Sequence, residues 1–512
     1  MTERPQAEAP SADLAALARG GRINLLGFAL RLAARLPFLF IAGRIYGAAA
    51  LGRFAFAILV VEFAAQLATL GLKRGLAEQL AHSEKPHSCI VADALIVAAL
   101  GSAVAMILLA IFPQAMFPNS EIAGLEWLLP VTVIAVAWSD VMLAALAYRN
   151  DVGATVRARA VIEPWTLSIA ALALSFFSQR DGLIIAYVLS MLGAVIASVI
   201  PFLKSYGLPR DWSPEPLALW RMARRNLPLA AADAVEWGSR RLDLAVLGLF
   251  FSPTIVGIYY VAQNVASLPS KLKTSFDPIL GPVVARNVAK GDKAAVARQV
   301  RQVGFWVIAA QLGVALALGI PGEAVMGLIG PAFVAGTGAL AILLAAEVVA
   351  AMAAVSESAL IYLARHRNMF LSLAMIVLQA VLSVALIVAM REMDLPVTWQ
   401  ATGSAMGLLL ALAFAAVVKS RLLCKLLDDR VSGWRWPLAW AAAAAVVVGS
   451  VAIQLPEWAE LLFGLPAIIV AFGLILWTRG FGPDDRELFR MSKAEIDDLS
   501  IPDPGTSPTA PR

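Results

Sequence analysis

Charge is scarce in this chain. Lys, Arg, Asp and Glu make up 15% of its 512 residues, against about 25% in an ordinary soluble domain. A soluble chain of that length needs far more polar surface to cover its cores, which excludes a cytosolic enzyme and a disordered hub. Cysteine and histidine are nearly absent, with two and three residues. Cys89 and Cys424 fall in basic loops near helix ends and read neither as a disulfide nor as metal ligands. His82, His87 and His366 are also in loops. Without a His/Cys cluster at ligand spacing, no metal and no cofactor are expected, and a secreted disulfide scaffold is excluded. The glycine-rich stretch at 327–338 lacks the phosphate-loop pattern and follows no strand. No Ser-His-Asp arrangement is visible.

Apolar residues, by contrast, make up 60% of the chain, and the mean hydropathy is +0.77. They fall in separate runs of about 20, each long enough to cross about 30 Å of hydrocarbon as a helix. Fourteen spans can be drawn, near 23–45, 51–72, 90–112, 125–148, 161–178, 182–203, 227–251, 254–285, 302–320, 334–363, 368–390, 398–418, 434–454 and 459–478. The eighth is interrupted by Pro269 and Pro278. The expected fold is an all-α integral membrane protein of about 14 helices. The net charge of +5 sits in short loops, not on a soluble domain, so it reports topology and not nucleic acid. Loops on one side hold four basic residues, Arg44, Arg53, Arg180 and Arg391, and most of the 41 lie on the other. Lys and Arg favour the cytoplasmic side, so both termini are expected in the cytoplasm of a multi-pass inner-membrane protein. All outer loops are short, leaving no room for a catalytic outer domain.

The chain repeats itself at an offset of 205. RLPFLFIAGRIYGAAALGRFAFAILVVEF from Arg35 aligns with RLDLAVLGLFFSPTIVGIYYVAQNVASL from Arg240, pairing Gly52 with Gly257 and Phe54 with Tyr259. Six spans separate the copies, so both halves have the same orientation. The expected organisation is a disordered N-tail (1–22), an N-lobe (23–203), an inter-lobe linker (204–226), a C-lobe (227–420), two further helices (421–480) and a disordered C-tail (481–512).

Ionisable residues within spans carry the functional signal, because each costs roughly 2.5–3.5 kcal/mol at the bilayer centre unless paired or hydrated. In the seventh span Asp233, Glu236, Arg240 and Asp243 are spaced 3, 4, 3, which places them on one face of a continuous helix. Arg241 lies about 100° around. The first span offers Arg31 and Arg35, four apart, with Asn24 on the same side. Two such helices facing each other would line a central cavity carrying net positive charge, suited to phosphate. Glu62 and Gln66 in the second span, and Gln263 and Asn264 in the eighth, would add polar lining. Glu62, Asp233, Glu236, Asp243 and Glu347 would balance charge or couple transport to H+ or Na+. Lys271, Lys273, Asp277 and Glu357 read as interfacial, and Glu163, before Pro164, reads as a helix cap.

The segments LGRFAFAILVVEFAAQLATLGL (51–72) and VGIYYVAQNVASLPSKL (256–272) resemble the polysaccharide-transporter branch of the multidrug/oligosaccharidyl-lipid/polysaccharide (MOP) exporter superfamily. There the phrase G-x-[FY] opens the second and eighth helices, matched here by Gly52–Phe54 and Gly257–Tyr259. Basic loops at 77–85 and 285–293 follow, and the layout agrees over about 20–420. The resemblance implies two pseudo-symmetric six-helix lobes around a V-shaped cavity with alternating access. It implies a Wzx-type flippase of undecaprenyl-diphosphate-linked glycans (O-antigen, exopolysaccharide or capsule repeat units). Arg31, Arg35, Asp233, Glu236, Arg240 and Arg241 would line the cavity. The two C-terminal helices fit fourteen-helix flippases. Expected partners are the lipid-linked glycan, membrane lipid, and polysaccharide polymerase and export proteins; the chain itself reads as a monomer. The rivals are a cation-coupled multidrug exporter, a lipid II flippase and, from another class, a membrane glycan polymerase or ligase.

Overall fold

Uninterrupted apolar sequence in hydrocarbon must satisfy its own backbone, and the helix does this within one segment. The computed structural model describes residues 36–482 apart from 84, 123, 150, 211, 271–283, 285, 286 and 289. Its described elements are helices, in chain order α1 (36–46), α2 (Gly47–Ala68), α3 (Leu72–His82), α4 (His87–Ile111), α5 (Thr132–Tyr148), α6 (152–174), α7 (Gly182–Tyr206), α8 (Pro216–Ser239), α9 (Leu242–Phe250), α10 (Pro253–Ala266), α11 (Lys293–Gly319), α12 (Gly322–Ile329), α13 (Thr337–Leu363), α14 (Arg365–Glu392), α15 (Val397–Leu427), α16 (Trp436–Ala452) and α17 (457–480). Among the described residues nine helices are long and apolar enough to cross a membrane. The difference from fourteen has local causes. The runs at 36–82 form one span by length, α6 carries three charges in Arg157, Arg159 and Glu163, the seventh span is interrupted, α16 is short, and the eighth span passes into residues outside those described.

The halves meet where α2 crosses α10. A Cβ on Gly52 would collide with the Pro253 carbonyl and the Gly257 nitrogen, and one on Gly257 with the Ala48 carbonyl and the Gly52 nitrogen. Gly52/Gly257 and Ala48/Pro253 are each 205 apart, so the contact is its own image under exchange of the two halves. Only glycine admits backbones this close, the device of small residues at membrane helix crossings. Nearby, Asn119 Nδ2 donates to the Gly248 and Phe251 carbonyls at 2.9 and 3.0 Å, satisfying orphan carbonyls at the end of α9 from the other half. Arg44 Nε donates to the Leu328 carbonyl at 3.1 Å. This is the glycine end of the molecule. At the opposite, basic end, Gly71 turns the chain from α2 into α3 with φ +72° and lies against the Asn226 and Ala230 backbone of α8.

One expectation, the continuous seventh span, is corrected. Within the linker 204–226, α7 continues to Tyr206 and α8 begins at Pro216. The irregular remainder is held to the first half by Trp212 Nε1, which donates to Asp93 at 2.9 Å. The seventh span is not one continuous helix. It breaks between Ser239 and Leu242, where Arg241 has φ −129° and ψ 0°. Below the break α8 packs on α2, α3 and α4; above it α9 packs on α10, α14 and α15.

Candidate functional site

A cavity of about 560 Å³ lies among α2, α3, α5, α6, α7 and the α8–α9 junction. Its α2 residues, Glu62 and Gln66, lie ten or more positions from Gly52, about 15 Å along the helix, toward the basic end. Lys73, Asp140, Arg159, Glu163, Tyr187, Trp237 and Arg241 also line it.

Arg159 is its centre. Pro164 has no N–H and its ring clashes with the carbonyl four residues back. The chain answers with a wider π-helical stretch at Val156–Ile162, directly before Glu163 and Pro164. Such stretches recur at functional sites. Arg159 Nη2 reaches Asp140 Oδ1 at 2.5 Å, and Nη1 reaches Glu163 Oε2 at 2.8 Å. Lys73 Nζ lies 3.5 Å from the other Asp140 oxygen. Across the cavity Arg241 Nη2 lies 3.5 Å from Glu62 Oε2, with its guanidinium 5.5 Å from the Trp237 ring centroid. The lining therefore holds three cations and three carboxylates. The Tyr187 hydroxyl is buried with no hydrogen-bond partner among the described residues, so it has a donor free for a ligand.

The other sequence-predicted residues go elsewhere. Arg31 and Arg35 lie outside the described residues, as do Lys271, Lys273 and Asp277. The broken helix separates the expected four-residue face. Asp233 pairs with Arg74 Nε at 2.7 Å, Glu236 pairs with Arg74 and Arg240, and Arg240 is exposed and not part of the lining. Asp243 is fully buried in the second half: Tyr259 OH donates to it at 2.8 Å and Gln263 Nε2 at 2.9 Å. Gln263 thus holds a carboxylate instead of lining the cavity. Asn264 turns back on the Tyr260 carbonyl at 2.8 Å. Glu347 is half-buried on α13 and outside this lining. Glu163 caps no helix, because the chain is already helical before it; its carboxylate goes to Arg159.

Two basic residues that loop counting assigns to the surface, Arg159 and Lys419, are largely buried. Arg159 lines the cavity, as does Lys73, whose side chain stays half exposed. Lys419 is 2% exposed, 3.1 Å from Glu357 and 3.0 Å from the Ser372 hydroxyl. The sequence signal for Arg159 was its i, i+4 spacing to Glu163 at the start of an apolar run. Among the described residues no group of His, Cys, Asp and Glu could hold a metal ion. The arrangement can bind an anion through guanidinium, ammonium and phenol donors.

The family profile described as polysaccharide biosynthesis protein matches residues 41–318. Among solved structures, the chain resembles an inward-facing multidrug-resistance MATE transporter of the MOP superfamily, with TM-score 0.59, 14% identity and coverage of 78% of this chain and 98% of that one. It also resembles the lipid II flippase MurJ in an inward closed conformation, with TM-score 0.64, 10% identity and coverage of 91% and 100%. A third is a MOP superfamily transporter from Pyrococcus furiosus described as having a binding pocket of reverse polarity, with TM-score 0.53, 14% identity and coverage of 83% and 99%. At these identities the likeness shows the fold. No curated protein matches the sequence.

Proposed function

The chain belongs to the polysaccharide biosynthesis protein family and is a polysaccharide transporter of the MOP superfamily, and from that premise we propose that it flips an undecaprenyl-diphosphate-linked oligosaccharide across the bacterial inner membrane. The repeat unit is one of an O-antigen, exopolysaccharide or capsule, handed on to polymerase and export proteins. Both termini lie in the cytoplasm, and the working unit is the monomer. The supporting observation is the cavity of Lys73, Arg159 and Arg241 with the unpartnered Tyr187 hydroxyl. Guanidinium forks match phosphate oxygens. The head group enters from the basic end, the polyprenyl tail stays in lipid, and the halves rock about the glycine crossing and the break in the seventh helix. Asp243, buried among neutral donors, is the site for coupling to H+ or Na+.

Proteoliposomes carrying a fluorescent short-chain diphospholipid sugar test this. The wild type speeds loss of the label to a membrane-impermeant quencher, and Arg159→Ala does not. Equal rates in protein-free vesicles would overturn the reading.

A further inference from the structure

We propose that the basic end of the α14–α15 hairpin binds an anionic phospholipid of the surrounding membrane, with its phosphate on Arg367, Arg421 and Lys425 and its acyl chains along the two helices. The site shares no residue with the cavity lining, so it stands whatever the cavity carries.

The two halves treat their cations differently at this place. By the repeat, α6 and α7 in the first half correspond to α14 and α15 in the second. In the first half the protein itself holds the arginines. Arg149 donates to the Ser205 carbonyl and lies 4.0 Å from the Tyr206 ring centroid. Arg157 lies 3.7 Å from Asp151, and Arg159 is clamped by Asp140 and Glu163. In the second half Arg367, Arg421 and Lys425 are exposed, and none has a hydrogen-bond or ion-pair partner among the described residues. Two carboxylates of this end are engaged elsewhere, Glu357 by Lys419 and Asp429 by Arg301. Asp428 is exposed and pairs with none of the three.

Each cation closes an exposed apolar row. On α15 Arg421 and Lys425 continue the row of Leu410, Phe414 and Val417, all exposed and spaced three or four apart on one helical face. On α14 Arg367 opens the row of Phe370, Leu373 and Val377. Of the candidate spans among the described residues α14 is the least covered, with 17% of its apolar window buried inside the protein. The two helices keep a fixed spacing, because Gly403 and Gly407 of α15 lie against the Ile387 and Ser383 backbone of α14. They also keep a fixed level, because Lys419 Nζ donates to the Ser372 hydroxyl at 3.0 Å. At 1.5 Å per residue, Arg367 and Lys425 lie within about 9 Å of that level, toward the same end. Long cationic side chains lay their stems on apolar surface and raise their heads to the head-group layer. Guanidinium forks fit phosphate oxygens, and basic sites between membrane helices fit phospholipid head groups. Three unpaired cations above two apolar rows therefore match both ends of one anionic lipid.

Native mass spectrometry of the purified full chain tests this, with dioleoylphosphatidylglycerol and dioleoylphosphatidylcholine as probes. The two lipids share their acyl chains and differ in head-group charge. The wild type retains phosphatidylglycerol about tenfold or more over phosphatidylcholine, each of Arg367→Gln, Arg421→Gln and Lys425→Gln weakens that retention about fivefold, and the triple variant weakens it about 100-fold. All three side chains are exposed, so the variants keep the wild-type melting temperature. The control is Arg221→Gln combined with Arg224→Gln, two exposed arginines of α8 that also have no partner among the described residues. Unchanged lipid preference in the control supports a local site. Equal loss in the control reveals diffuse attraction by the whole basic end and overturns the site. Equal retention of both lipids by the wild type overturns it too. Displacement of the lipid by glycerol phosphate at the same concentration would show a bare phosphate site and overturn the role of the apolar rows. None of these outcomes bears on the transport reading.

Discussion

Two buried aspartates, one in each half, show how differently the halves use the same architecture. Asp140 sits in a cavity, clamped by Arg159 at 2.5 Å and faced by Lys73 at 3.5 Å. Asp243 is fully buried, and its carboxylate accepts from a phenol and an amide, Tyr259 and Gln263. The first half gathers three cations and three carboxylates around a cavity of about 560 Å³. The second seals one carboxylate among neutral donors, where gain or loss of a single cation changes the local charge outright. The proposed binding and coupling roles therefore fall in different halves of the chain.

Breaking the first aspartate's clamp has the largest expected effect. Arg159→Ala leaves Glu163 without its cation and Asp140 with Lys73 alone, a loss of about 3–5 kcal/mol for a buried pair with one partner removed, and lowers glycan export by about 100-fold or more at matched membrane levels. Arg159→Lys recovers part of it, since an ammonium cannot reproduce the fork; full export by the alanine variant would end the clamp's claim to function.

The second aspartate is probed by a pair of variants. Asp243→Asn keeps one acceptor oxygen for Gln263 and turns its amide N–H to the Tyr259 hydroxyl, which can accept, so its melting temperature stays near that of the wild type while transport ceases to respond to an imposed ion gradient. Asp243→Ala leaves both donors unpaired and costs about 1–3 kcal/mol for each. A gradient response preserved in the Asn variant would move coupling elsewhere.

A third test bears on the crossing between the halves. Gly257→Val drives a side chain into the Ala48 carbonyl, with an overpacking cost of about 1–3 kcal/mol. Cysteines placed at the glycine end then label faster, reporting a loosened seal; unchanged labelling would show that the crossing tolerates bulk. The smallest effect is expected from Arg240→Ala. Arg240 is exposed and meets Glu236 at 3.2 Å, an arrangement worth about 0.3–0.5 kcal/mol. Export should change by less than about threefold, well below the effect of Arg241→Ala next to it.

Part of the site was legible in the sequence. Glu62, Gln66 and Arg241 were singled out and do line the cavity, because a charge deep in an apolar run has few places to go. Arg159, Lys73 and Lys419 were not, because each lies within a turn or two of a span's end. There, hydropathy averaging treats a basic residue as loop. The expected face of the seventh span failed for a different reason. Its 3, 4, 3 spacing holds only if the helix is continuous, and the break at Arg240 and Arg241 turns Asp243 into the other half.

The sequence alone determined that the chain is a bundle of membrane helices in two like halves, because hydropathy is local and the repeat is written in the residues at an offset of 205. It marked Gly52 and Gly257 as equivalent positions. Only the tertiary structure decided that these two glycines touch, that Arg159 is held between Asp140 and Glu163, and that Asp243 answers to Tyr259 and Gln263. Those pairings depend on where a π-helical stretch rotates one helix and where another helix breaks. The first is set by Pro164 within its own helix, and the second shows only where α8 and α9 pack on different neighbours.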